Sequence, residues 1–176
     1  MNSIYERKEI FPIKSTIADL RSSMITKQKD IVKSECLRKP KLRTFILFKD
    51  YDKLPPHIGK PLTFIERKTM SKIRLGILPL RLETARFQRP VGPEDQRLCY
   101  CESGDIESEQ HVLFHCKMYD SLRQLWLEKL NVPFNFVDLP IEEKLKLVLN
   151  HDQNVRPTAQ FVVSLMDLRS LKNKDY

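Results

Sequence analysis

Glycine is scarce in this chain, four in 176 residues, and a fold built from many tight hairpins would need more of it. Long apolar runs are also missing. No stretch approaches the roughly 20 residues of a membrane-spanning helix. The opening residues Asn2 to Lys8 carry mixed charge where a secretory leader would have an apolar core. There is no glycine-rich phosphate loop of the Walker type, no Gly-x-Ser-x-Gly elbow, and no internal repeat. These absences argue against a membrane-spanning protein, a P-loop nucleotidase and an α/β-hydrolase. They lead to the expectation of an intracellular protein, nuclear or cytoplasmic.

What is present fits helices. A hydrophobic content of 41% is that of a globular protein, and 31% charged residues suit amphipathic helices with solvated faces. The expected class is all-α, a single helical domain with an inserted zinc knuckle. Its expected parts are a basic N-terminal helix over 1–38 and a helical domain over 39–176. The net charge of +8 favours a polyanionic partner, nucleic acid or an acidic surface.

Along the chain, Ile13, Ile17, Leu20, Met24 and Ile31 recur at helical spacing. Thr16 and Asp19 make a capping box for a helix reaching Cys36. Arg21, Lys27, Lys29 and Lys33 lie on its polar side. Pro40 breaks the chain, and Leu42 to Phe48 is a short apolar run that periodicity alone does not assign to helix or strand. Pro55-Pro56 and Gly59 to Pro61 mark a loop. Thr63 and Glu66 repeat the capping box. The helix that follows ends near Gly76, with Ile65, Met70, Ile73 and Ile77 as its expected apolar face.

The opposite face of that helix carries Arg67, Lys68, Lys72 and Arg74, and Arg81, Arg86 and Arg89 follow. Several positive charges on one surface add up where scattered ones do not, which makes this face the strongest candidate for phosphate contact, against the plainer reading of a solvated face. Beyond it come a short helix from Leu80 to Phe87 and a loop from Pro90. A long helix is expected from Leu113 through Trp126 to Leu130, then two more over Ile141–Leu149 and Thr158–Leu171, the last opened by Pro157. Trp126, at helical spacing, reads as core before it reads as a base-stacking platform.

Between Cys99 and Cys116 lie three of the four cysteines and two of the four histidines. In a reducing compartment such a cluster reads as metal ligands before disulfides. Cys99 and Cys101 supply two thiolates and His111 an imidazole, and both Cys116 and His115 can complete the set. Soft thiolates with imidazole suit Zn2+ in a closed structural site. The competing reading is ordinary buried thiols, since free cysteine is among the most buried residue types. Cys36, far away in sequence, reads as a packing or surface thiol.

Three runs of sequence then carry a resemblance: Lys41-Leu42-Arg43-Thr44-Phe45, Leu75 to Thr84, and Cys101 to Cys116 with Tyr119 and Arg123. Together they resemble the C-terminal region of LINE-type, non-LTR retrotransposon reverse transcriptases. The resemblance spans roughly Lys39 to Arg169. It implies Cys99, Cys101, His111 and Cys116 as the ligands, which favours Cys116 over His115. It also implies accessory, weak and non-specific binding of RNA or DNA. Polymerisation is not expected, because no Tyr-x-Asp-Asp stretch occurs and Asp50-Tyr51-Asp52 lacks the adjacent acidic pair that would hold two metal ions. The expectation is therefore a binding module, not an enzyme.

Overall fold

The computed structural model describes residues 13–39, 42–49 and 54–172. The mixed-charge start Asn2 to Lys8, Pro40, Lys41 and Asp50-Tyr51-Asp52 lie outside the described residues. The chain divides into two units, Met1–Arg38 and Lys39–Tyr176. Each is described by itself.

The first unit holds one long helix, α1 (Ile13–Leu37). It begins before Thr16, so the Thr16/Asp19 capping box expected from the sequence is not its start. Ile17, Leu20, Met24 and Ile31 lie along it and are exposed.

In the second unit the ambiguous apolar run becomes a short helix, α2 (Arg43–Phe48). After it, α3 (Pro56–Gly59) starts with proline at its first position, where the missing N–H costs nothing. Helix α4 (Phe64–Leu75) opens with the expected capping box. The Glu66 N–H donates to Thr63 Oγ1 at 3.2 Å and the Thr63 N–H donates to Glu66 Oε2 at 2.7 Å. It closes at Gly76, whose φ of 67° is the left-handed conformation glycine adopts without strain.

The buried face of α4 differs from expectation. Met70 and Ile73 are fully buried, but Ile65 is 62% exposed and Ile77 sits at the surface. The stripe facing the core passes instead through Arg74, because α4 packs against both α2 and the last helix, α9 (Val155–Lys172). Between them, α5 (Arg81–Thr84) runs directly into a 3-10 turn, Ala85–Phe87.

The single long helix expected beyond Leu113 is instead two. Helix α6 (Glu109–Phe114) stops at His115, a 3-10 turn spans Lys117–Tyr119, and α7 (Asp120–Leu127) follows. Arg123 holds the break open. Its guanidinium donates to the carbonyls of Leu113 at 2.8 Å and Cys116 at 2.7 Å, satisfying groups that a continuing helix would have paired internally. It also pairs with Asp120.

Helix α8 (Ile141–Asn150) and α9 complete the unit. Trp126 of α7 stacks on Phe161 of α9, with centroids 4.4 Å apart and planes 3° from parallel. Its indole N–H donates to Thr158 Oγ1 at 3.2 Å, so it is core, as its spacing indicated. Fully buried Asn154 accepts from the Asn131 N–H at 2.7 Å and donates to the carbonyls of Asn131 and Leu147, stitching the loop after α7 to α8. Among the described residues there is no β-strand; one antiparallel bridge joins Leu98 and Ile106. The fold is all-α.

Candidate metal centre

The bridge at Leu98 and Ile106 shapes the first half of the site. The Cys99 N–H donates to the Asp105 carbonyl at 2.7 Å and the Glu107 N–H to the Arg97 carbonyl at 3.0 Å, so the two arms of a small loop lie side by side. At its tip Glu102 and Gly104 have φ of 59° and 79°, left-handed backbone that turns the chain sharply after Cys101. Cys99 and Cys101 are thereby presented from one short arm.

The second half comes from α6. Ser108 caps it, accepting the His111 N–H at 3.2 Å, which fixes His111 in the first turn. Because the helix ends at Phe114, Cys116 leaves helical geometry and its N–H returns to the His111 carbonyl at 2.8 Å. In a continuous helix Cys116 would lie on another face from His111. The break brings it back.

The ligand atoms of Cys99, Cys101, His111 and Cys116 all lie within 4.8 Å of one another. Cys99 Sγ and Cys116 Sγ are 3.6 Å apart, and Cys101 Sγ is 3.3 Å from His111 Nε2. A tetrahedral ion with metal–sulfur bonds of about 2.3 Å and a metal–nitrogen bond of about 2.0 Å requires edges of about 3.8 Å and 3.5 Å. The Cys99–Cys116 and Cys101–His111 separations are close to those edges. The four residues can hold a metal, and the donor set fits one. His115 is exposed and lies outside the group; Cys36, a buried thiol, is not part of it either.

Without an ion the cluster holds protons in an unusual way. The hydrogen bond that the His111 ring donates to Cys99 raises His111 to about 9, burial opposing it. The contact with Cys116 and then burial push the Cys99 thiol up to about 12. Burial also acts to raise Cys101, but hydrogen bonds with Ser103 and His111 outweigh it and hold that thiol below its usual value. Protons and a cation compete for the same lone pairs.

A polar scaffold surrounds the group. Fully buried Glu107 receives a two-pronged contact from Arg169 of α9 and the Arg81 N–H at 2.6 Å. The Tyr100 ring lies beneath the guanidinium groups of Arg81, at 5.0 Å, and Arg169, at 5.6 Å. Arg97, also buried, donates to the carbonyls of Leu82 and Gly92. Tyr119 is buried beside Cys116 and Glu107, and its hydroxyl has no hydrogen-bond partner among the described residues. The sequence reading missed Arg169 and Arg97, and it weighed Glu107 only as a carboxylate base, not as part of this scaffold. A charged residue at an apolar position of a helix, as Arg169 is in α9, was the available signal.

The proposed phosphate-binding face is broken up by packing. Arg74 is 3% exposed, donates to the Leu149 carbonyl, and lies over the Phe48 ring at 4.8 Å. Burial lowers it to about 10. Arg67 gathers the carbonyls of the α3–α4 connection, Ile58 at 2.7 Å and those of His57, Lys60 and Leu62 at 3.3 to 3.4 Å. Both guanidinium groups are committed within the fold, so the expectation that they face a ligand is corrected. Lys68 is exposed and Lys72 half-buried.

Fold and site together define an all-α chain carrying a group of three cysteines and one histidine suited to a metal. Compared with family models, curated proteins and solved structures, the chain matches none.

Proposed function

We propose that this chain is a zinc-stabilised, non-enzymatic binding module of a reducing intracellular compartment, nuclear or cytoplasmic, with nucleic acid as its partner. The observation that carries the zinc reading is the convergence of the ligand atoms of Cys99, Cys101, His111 and Cys116 to within 4.8 Å of one another, with the Cys99–Cys116 and Cys101–His111 separations near tetrahedral edges. The same four positions are those implied by the resemblance to the C-terminal region of LINE-type reverse transcriptases, which supports an origin of this chain in such a region. Zinc, when bound, supplies a cross-link. Three thiolates and an imidazole fill four positions and leave none for water, and their electron density disfavours activating one.

Nucleic-acid binding rests on the +8 charge and on Lys68 and Lys72, with Arg74 buried and half-buried Arg67 engaged by carbonyls of its own fold. Binding of this kind is weak, indifferent to sequence and steeply salt-dependent, because neutralised phosphates release counterions. The deciding experiment is metal analysis of the purified chain combined with salt titrations of its binding to single-stranded RNA and duplex DNA. One zinc per chain and a falling affinity with salt are expected. A metal-free chain overturns the zinc reading; absence of binding to either polymer at low salt overturns the nucleic-acid reading.

A further inference from the structure

His111 is 6% exposed at its side chain, and its two ring nitrogens face different chemistry. Nε2 lies 3.3 Å from Cys101 Sγ, inside the ligand group. Nδ1 points the other way, to Asp105 Oδ2 at 3.5 Å, within ion-pair reach and slightly longer than an ordinary hydrogen bond. Asp105 is itself held. Its Oδ2 accepts the Ser103 hydroxyl at 2.8 Å, its N–H donates to Ser103 Oγ at 3.3 Å, and its carbonyl accepts the Cys99 N–H at 2.7 Å. The left-handed turn at Glu102 and Gly104 brings this carboxylate back beside Nδ1 of the imidazole.

We infer that Asp105 is the positioning residue of the metal centre, holding His111 as the Nδ1–H tautomer so that the Nε2 lone pair faces the ion, with Ser103 steering the carboxylate. A neutral imidazole has one donor and one acceptor nitrogen, and which is which follows from the partner of the nitrogen that is not ligating. A carboxylate there selects the useful tautomer and makes the ligating nitrogen more basic. Loss of such a partner weakens metal binding by about 10- to 100-fold. The inference rests on the zinc reading above.

The experiment is zinc competition against a chromophoric chelator at fixed pH, for the full chain and for Asp105→Ala, Asp105→Asn and Ser103→Ala. Helix content is followed by circular dichroism. Asp105→Ala is expected to keep its helices and one site at saturating zinc while binding about 10- to 100-fold more weakly. Asp105→Asn retains an acceptor without charge and should fall between, and Ser103→Ala should lose least. Long-range proton–nitrogen spectra of the zinc-loaded chain supply the readout that a merely structural role would leave alone. They should show a protonated, slowly exchanging His111 Nδ1 in the parent and a faster-exchanging one in Asp105→Ala.

Zinc affinity of Asp105→Ala within twofold of the parent, or an unchanged Nδ1 signal, overturns the positioning role and leaves the zinc reading standing. A parent chain that takes no zinc overturns both. If Asp105→Ala loses helix content, Asp105→Asn decides by the same two criteria.

Discussion

Arg169, near the end of α9, forks onto Glu107 of the candidate metal loop, 62 positions away in sequence, Nε–H to Oε1 at 2.7 Å and Nη2–H to Oε2 at 2.8 Å. The carboxylate is fully buried and the guanidinium 7% exposed. A pair so desolvated gains little over well-packed apolar side chains, but removing one member leaves the other charge stranded. The metal loop and the last helix are thus joined through a contact that cannot be half broken cheaply.

Arg169→Ala should therefore destabilise the chain by about 3–5 kcal/mol in urea unfolding. Replacing both members, as Glu107→Leu with Arg169→Met, should restore most of that loss. A cost below about 1 kcal/mol for the single substitution would show the pair to be dispensable.

Zinc content should follow the ligand group. Cys101→Ala and His111→Ala should each lose the metal, while Cys36→Ala and His115→Ala keep one per chain by metal analysis. Retention by Cys101→Ala together with loss by Cys36→Ala would place the site elsewhere.

Removing the metal should raise amide exchange over residues 97–116 while most helical signal survives, since the core joining α4, α7, α8 and α9 is built mainly of apolar side chains, with Cys99 and Cys116 its only members from the ligand group. With His111 held near 9 and Cys99 near 12 in the ion-free chain, binding near neutral pH must displace protons. Affinity should accordingly fall as pH falls. Calorimetric zinc titrations in buffers of different ionisation enthalpy would show the release, and a buffer-independent heat would contradict it.

His57 offers a separate pH effect. Burial, then the charges of Arg74 and Arg67, lower it from 6.5 to about 4. Ser71 Oγ donates to the Arg67 carbonyl, so His57 Nε2–H donates to Ser71, and Nδ1 is left without a partner among the described residues. Between pH 6.5 and 4 the unfolded chain binds a proton that the folded chain refuses. Stability from this group is thus complete above pH 6.5 and lost as pH falls towards 4, on the order of 3 kcal/mol in all. His57→Gln should flatten the stability profile over that interval. An unchanged profile would show that His57 does not set it.

Nucleic-acid binding, where it is measured, should weaken and lose salt dependence in Lys68→Ala/Lys72→Ala. Arg74→Ala should instead lower stability by about 2–4 kcal/mol, since its partners are the Leu149 carbonyl and the Phe48 ring. Equal affinity and an equal salt slope in the double lysine variant would remove this face from the proposal.

Local signals in the sequence determined a great deal. Apolar spacing and scarce glycine marked an all-α chain, Thr63 with Glu66 and then Gly76 bounded α4, and the density of thiols and imidazoles marked the metal loop. These are legible because caps, turns and ligand spacing act over a few residues. Tertiary structure decided what no short window contains. It broke the helix at His115, where an arginine eight residues later takes up the freed carbonyls, and so brought Cys116, which residue spacing alone left level with His115, into the group. It also sank Arg74 and Arg169 into the core by giving them distant partners, Leu149 and Glu107. A charged side chain reads as solvent-facing in sequence, because the carbonyl or carboxylate that compensates its burial lies tens of residues away and becomes its neighbour only when the helices pack.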